Sequence, residues 1–353
     1  MGSSARVLFG MAAFVVVVSG MKAAGSILVP FLLALFIAVI CAPLLFWLKQ
    51  KGVPNILAVF SVMVIILGLG LVLAAFVGNS FRDFYRSIPF YQDLLTEKTA
   101  EVLNWLMGKG LEISPKLLEE YLNPAKAMGL AADTLKGVTG VFTNVFMILL
   151  TVVFILLEAS VIPSKLQAAL KDPDESVPRL GEFLANLNRY LAIKTIFSLL
   201  TGIGIWLWLV ILGVDYPVLW GVLAFALNYI PNIGSIIAAI PASLLALVQL
   251  GLGPSLLTVL GYLVVNTVLG NFLEPRFMGR GLGLSTLVVF LSLVFWGWVL
   301  GPMGMLLSVP LTMIVKIWLE SGEDTKRAAI LLGSSVYYAP VEAENEADQD
   351  NPH

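Results

Sequence analysis

Cysteine and histidine are almost missing from this chain: its 353 residues hold one of each, Cys41 and His353. A lone cysteine excludes an internal disulfide and any cysteine-based metal cluster, and Cys41, set in an apolar run, reads as a small core or lipid-facing residue. With its one histidine at the last position, the chain has no ready means to build a Ser-His-Asp or Cys-His catalytic group, an H-E-x-x-H zinc site or a haem ligand pair. Charge is scarce as well. Asp, Glu, Lys and Arg make up 12% of the residues, the formal net charge is -2, and the 21 Lys and Arg are scattered. The electrostatic footprint of a nucleic-acid binder is therefore missing. No G-x-x-x-x-G-K-S/T stretch occurs, so the chain carries no ATPase of that type and any transport it performs draws on gradients. The expectation is a non-enzyme without cofactor or metal, and without nucleic acid among its partners.

Apolar side chain fills the space instead. The chain is 59% hydrophobic with a mean hydropathy of +0.93, more than a soluble core absorbs. Crossing a hydrocarbon layer of about 30 Å takes about 20 helical residues. Runs centred on 7–18, 27–47, 56–77, 141–157 and 191–212 are candidates, followed by an irregular apolar block from 217 to 320. The first run is read as a retained span, because Ser-Gly-Met-Lys after it is a poor signal-cleavage site. The irregular block is interrupted at 229–234, 251–254, 274–281 and 301–302. Residues 219–250 read as a re-entrant hairpin turning at Pro231-Asn232, with a single kinked span as the alternative, because non-helical backbone at membrane depth survives only against protein or water.

The fold class expected is therefore all-α: a polytopic integral membrane protein with about eight transmembrane helices, a re-entrant broken-helix hairpin and a small helical extramembrane segment. Its parts are N-terminal spans in 1–78, an extracytoplasmic helical segment at 79–140, a span at 141–158, a cytoplasmic linker at 159–189, a transport core at 190–320 and an acidic, disordered tail at 321–353. In the extracytoplasmic segment Ser114-Pro115 and Asn123-Pro124 read as helix starts, and Tyr91, Leu94, Leu95, Val102 and Leu106 recur at helical spacing. In the linker 172–178 reads as a turn between two short amphipathic helices. Positive charges in short loops place both termini in the cytoplasm. Lys194 and Lys316, near span ends, read as cations that snorkel to that surface. Trp296 and Trp298 suit an interfacial belt, and Gly297-x-x-x-Gly301 suits close helix packing.

Polar groups set at hydrophobic depth are costly and point to function. They gather in the irregular block: Asn228, Pro231, Asn232, Gly234, Asn266 and Asn271 as a substrate-binding set, and Glu274, Pro275, Arg276, Gly279 and Arg280 as a gate or coupling set. Broken helices offer half-helix ends as binding elements, and the asparagines can both donate to and accept from a hydroxyl-rich solute. The structural alternative for each is an interhelical hydrogen bond, and for Glu274 with Arg276 an ion pair at the membrane edge.

At these positions the sequence resembles a known family. Ala224-Phe-Ala-Leu-Asn-Tyr-Ile-Pro-Asn-Ile-Gly-Ser235 and Asn271-Phe-Leu-Glu-Pro-Arg-Phe-Met-Gly-Arg-Gly-Leu-Gly-Leu-Ser-Thr-Leu287 are similar to signature segments of the autoinducer-2 exporters, as are Val29-Pro-Phe-Leu-Leu-Ala-Leu-Phe-Ile-Ala-Val-Ile40 and Ser308-Val-Pro-Leu-Thr312. The resemblance covers almost the whole chain and is weakest in the extramembrane segment and the tail. It implies a secondary carrier in the bacterial inner membrane that exports the quorum-sensing signal autoinducer-2, in contact with lipid and assembled as a homo-oligomer, a pentamer in similar proteins. Some similar proteins are regarded as sodium or lithium/proton antiporters, the alternative. A non-transporting membrane scaffold is the alternative of another class. A cation antiporter needs an intramembrane carboxylate free to exchange Na⁺ for H⁺. Glu274, with Arg276 beside it, suits that role less well than it suits organic-solute export.

Overall fold

The computed structural model describes residues 3–108, 145–159, 173–231, 233–278, 283–320 and 325–333, with a few single positions between 161 and 168. Helices carry the described chain. They are α1 (Ser3–Ala23), α2 (Gly25–Gln50), α3 (Asn55–Gly108), α4 (Val145–Ala159), α5 (Pro173–Leu212), α6 (Pro217–Leu227), α7 (Gly234–Leu250) and α8 (Leu252–Val265). A π-helical stretch, Asn266–Leu273, leads into α9 (Glu274–Met278), followed by α10 (Thr286–Leu300), α11 (Pro302–Leu306), α12 (Ser308–Glu320) and α13 (Lys326–Leu332). Gly25–Gln50, Asn55–Tyr91, Gly181–Leu212 and Leu252–Met278 are each long and apolar enough to cross a membrane; α1, α4, α6, α7 and α10 supply shorter apolar helices. The protein is an all-α, multi-pass membrane protein. Its outer surface agrees, since large side chains such as Ile56, Leu71 and Ile211 are 74%, 70% and 75% exposed, an apolar covering that only lipid or protein could solvate.

The chain divides into two compact units, Ala23–Phe277 and Met1–Lys22 with Met278–His353. In the larger unit α2, α3 and α4 pack through Ala34, Ala38 and Leu45 against Val59, Val62, Ile148, Val152 and Leu156. The small residues let helix backbones approach closely, and half-buried Cys41 packs beside them as a plain packing residue. A second core gathers Phe84 of α3, Ile205 and Leu209 of α5, Trp220 and Leu223 of α6, Ala238, Ala242 and Leu245 of α7 and Tyr262 of α8. In the smaller unit the Trp296 indole donates to Thr312 Oγ1 at 3.0 Å, Lys316 Nζ donates to the Gly283 carbonyl at 2.7 Å, and the Ser285 N–H to the Leu332 carbonyl at 3.1 Å.

Several expectations change. α3 runs on as one helix far past the hydrophobic stretch that ended at 77, so the third span and the start of the extracytoplasmic segment are continuous; Tyr91 is buried and Leu94 packs on the second core. The side chains of Leu95, Val102 and Leu106, the two helix starts at 114 and 123 and the acidic tail lie outside the described residues. α5 starts at Pro173 and passes through Pro178 unbroken, so 173–178 of the turn expected at 172–178 is helix; Pro173, at the first helical position, costs little because its N–H would have had no partner to lose. Lys316 is buried on the Gly283 carbonyl instead of snorkelling. Trp296 is buried too, and of the pair only Trp298, 57% exposed with Lys22 over its ring, has a surface position. A side chain at Gly297 would strike Met305, whereas one at Gly301 would meet nothing, so the small-residue pair does not act as one contact.

The segment 217–250 is a hairpin. α6 and α7 are joined by a turn of six residues, 228–233, and their far ends meet: the Asp215 N–H donates to Gln249 Oε1 at 2.9 Å and Gln249 Nε2 donates to the Gly213 carbonyl at 3.2 Å. At about 1.5 Å per residue, both arms fall short of the length needed to cross hydrocarbon. Near the turn the arms touch so tightly that a Cβ on Gly234 would lie 1.8 Å from the Leu227 carbonyl oxygen, so only glycine fits that approach.

Candidate functional site

The fifth helix sets the back wall. Lys194, Ser198 and Thr201 recur at helical spacing, run into Ile205 and Leu209, and are all buried. This face is pressed on α6 at paired glycines, where a Cβ on Gly202 would meet the Gly221 carbonyl at 2.8 Å and one on Gly221 would meet Trp206 Cβ at 2.8 Å. The contact brings the end of α6 and the hairpin turn beside the polar stripe. Asn228 Nδ2 donates to Ser198 Oγ at 3.0 Å and the Tyr229 hydroxyl to Thr195 Oγ1 at 2.7 Å.

The helix 252–278 supplies the facing wall. Within it the hydrogen-bond register slips: the Glu274 N–H reaches the Leu269 carbonyl, five residues back, instead of four. Pro275 has no N–H to give to the carbonyl one turn back, and the π stretch lies immediately before it without ending the helix. Glu274 is thereby brought to Lys194, whose Nζ donates to Oε1 at 2.8 Å, with both residues buried. This is a charge-assisted bond shielded from water.

Between these walls lies a cavity of about 130 Å³, lined by Lys194, Asn228, Pro231, Asn266, Asn271 and Glu274 together with Ile230, Ser235 and Gly270. Five of the eleven expected site residues thus share one cavity. Gly234 serves the turn beside it. Pro275 and Arg276 are not among its described walls: the proline follows the π stretch, and the Arg276 guanidinium lies over the Phe272 ring at 5.5 Å. Asn232, Gly279 and Arg280 lie outside the described residues. The expected Glu274–Arg276 pair is corrected, because the carboxylate is taken by Lys194, eighty positions away in sequence. Lys194, read as a snorkelling cation, is an interior residue. Its position on one stripe with Ser198 and Thr201 was the signal that would have found it. Glu158, the other acidic residue near a span end, pairs on the surface with Lys165.

A buried ion pair, three asparagines and a helix held in an unusual register surround one small polar cavity in an otherwise apolar bundle. The sequence profile of the AI-2E family transporters matches residues 9–324. The chain belongs to the AI-2E transporter family. Among its relatives, the AI-2 transport protein TqsA of Escherichia coli K12 is 44% identical over 92% of this chain and 94% of its own length. A putative transport protein of Haemophilus influenzae is 42% identical over 93% and 96%, and the putative transport protein YhhT of E. coli K12 is 40% identical over 93% and 94%. The two long segments that carried the family resemblance form, in this AI-2E member, the hairpin turn and the end of the π-containing helix.

Proposed function

We propose that this protein exports autoinducer-2, a small polyhydroxylated signalling molecule, across the bacterial inner membrane through the cavity between α5, the α6–α7 hairpin and the helix 252–278. The observation that carries the reading is the gathering of Asn228, Asn266 and Asn271 around one small cavity that also holds the Lys194–Glu274 pair. Amides bind hydroxyls without the cost of stripping water from a further charge. Membership of the AI-2E family and likeness to TqsA support the choice of solute. Both termini facing the cytoplasm, a hairpin that re-enters from one side of the membrane and a homo-oligomeric, pentameric assembly belong to the same proposal.

Inverted vesicles containing this protein alone should accumulate labelled autoinducer-2. Asn228→Ala and Asn271→Ala should each slow accumulation by about tenfold, the loss of one hydrogen bond worth about 1–2 kcal/mol, with the protein still inserted and folded. Sodium/proton exchange without solute movement would replace the proposal with the cation antiporter. Vesicles that move neither would leave the scaffold.

A further inference from the structure

The described walls of the cavity carry one cation and one anion, and these are already paired with each other: Lys194 with Glu274 at 2.8 Å, their side chains 10% and 8% exposed. The rest of the polar lining, Asn228, Ser235, Asn266 and Asn271, is uncharged. Among the described residues the site is therefore electrically closed. A guest bearing a negative charge meets the Glu274 carboxylate with no unpaired cation among the described lining residues to receive it, and drawing Lys194 away would leave Glu274 buried and unpartnered. A neutral guest with several hydroxyls needs only amides and hydroxyls that can both give and accept, and these are what the remaining wall offers.

We propose that the site selects the uncharged, polyhydroxylated form of its solute and rejects anionic esters of the same molecule, including the singly negative borate ester that vicinal hydroxyls form when boric acid is present. The proposal rests on the transport function above and specifies which chemical form is carried.

Calorimetric titration of the purified full chain in detergent tests binding apart from transport, using the labelled signal in borate-free buffer and the same compound with excess borate. The neutral form should bind at least about tenfold more tightly, and vesicle uptake should fall to match as borate is added. Glu274→Gln leaves the cavity with a net positive charge and should move the preference toward the borate ester by about tenfold, whereas a purely structural role for the pair would weaken both forms alike. Should Glu274→Gln fail to fold, Lys194→Gln/Glu274→Gln removes both charges together and should keep the preference for the neutral form. Equal or tighter binding of the ester by the wild type, or no binding of either form, overturns the proposal. Selective binding of the neutral form with no movement in vesicles would uphold the charge selection while removing the transport function.

Discussion

At the scale of single residues, Lys194 and Glu274 matter through what each does for the other. Removing the charge from one strands the other as a buried charge without its partner, which costs about 3–5 kcal/mol, while replacing both with apolar groups of similar size is close to neutral. Lys194→Met and Glu274→Leu should therefore each lower the thermal unfolding midpoint of the detergent-solubilised protein markedly, and Lys194→Met/Glu274→Leu should recover most of the loss. Losses that simply add in the double variant would mean that the two side chains are independent, against the 2.8 Å contact. The double variant should still lose transport, since it removes polar wall from the cavity.

At the scale of elements, glycine has opposite consequences in two helices. On α6 a methyl group at Gly221 would press on Trp206 and on the Gly202 carbonyl, whereas at Gly68 on α3 it would meet nothing within 4 Å. Gly221→Ala should destabilise by about 1–3 kcal/mol through overpacking, and Gly68→Ala should stabilise by about 0.5–1 kcal/mol through helix propensity alone. Matched chemical unfolding curves would check both, and a stabilising Gly221→Ala would show that α5 and α6 do not touch. The elements also show what the sequence can disclose. Hydropathy marked α2 and the core of α5 closely, because lipid selects apolar runs of a set length. It did not mark the end of α3 or the start of α5, because a helix continues past the hydrocarbon wherever its backbone bonds stay satisfied. The turn at 228–233 was legible from proline and asparagine; of the break expected at 274–281, residues 274–278 are helix and 279–281 lie outside the described residues, and the register slip before Pro275 has no compositional mark. Asn228, Asn266, Asn271 and Glu274 stood out as polar residues in apolar runs. Lys194 was passed over because a cation near the end of a run has a cheap surface explanation, and only the chain's folding back brings Glu274 to it.

At the scale of the whole molecule, the sparse charge of the sequence becomes a surface that water does not suit. With Cys41 replaced by alanine, single cysteines at Leu71 and Ile211 would each carry a spin label on the apolar outer face. Both labels should be relaxed by oxygen, which concentrates in hydrocarbon, and ignored by a water-soluble nickel complex; the reverse pattern at either position would place it in water or against an aqueous cavity. The two compact units bear on a different property. The described lining of the polar cavity belongs to Ala23–Phe277, while the other unit draws on both ends of the sequence, so trimming that reaches α1 at one end or α13 at the other removes part of it.

The slipped register between Asn266 and Leu273 bears on chain length. Elsewhere in a helical membrane protein, gaining or losing a residue is tolerated in loops and resisted in helices. Here the helix holds a surplus residue as part of its design. Deleting one residue inside that stretch would restore regular pitch and leave what lies beyond, Glu274 included, at nearly its present angle about the axis, because a stretch that has absorbed one extra residue turns about as far as a regular one that is a residue shorter. For this helix counting is looser than in a regular one: a descendant of this sequence can lose one residue between 266 and 273 and still present Glu274 to its lysine.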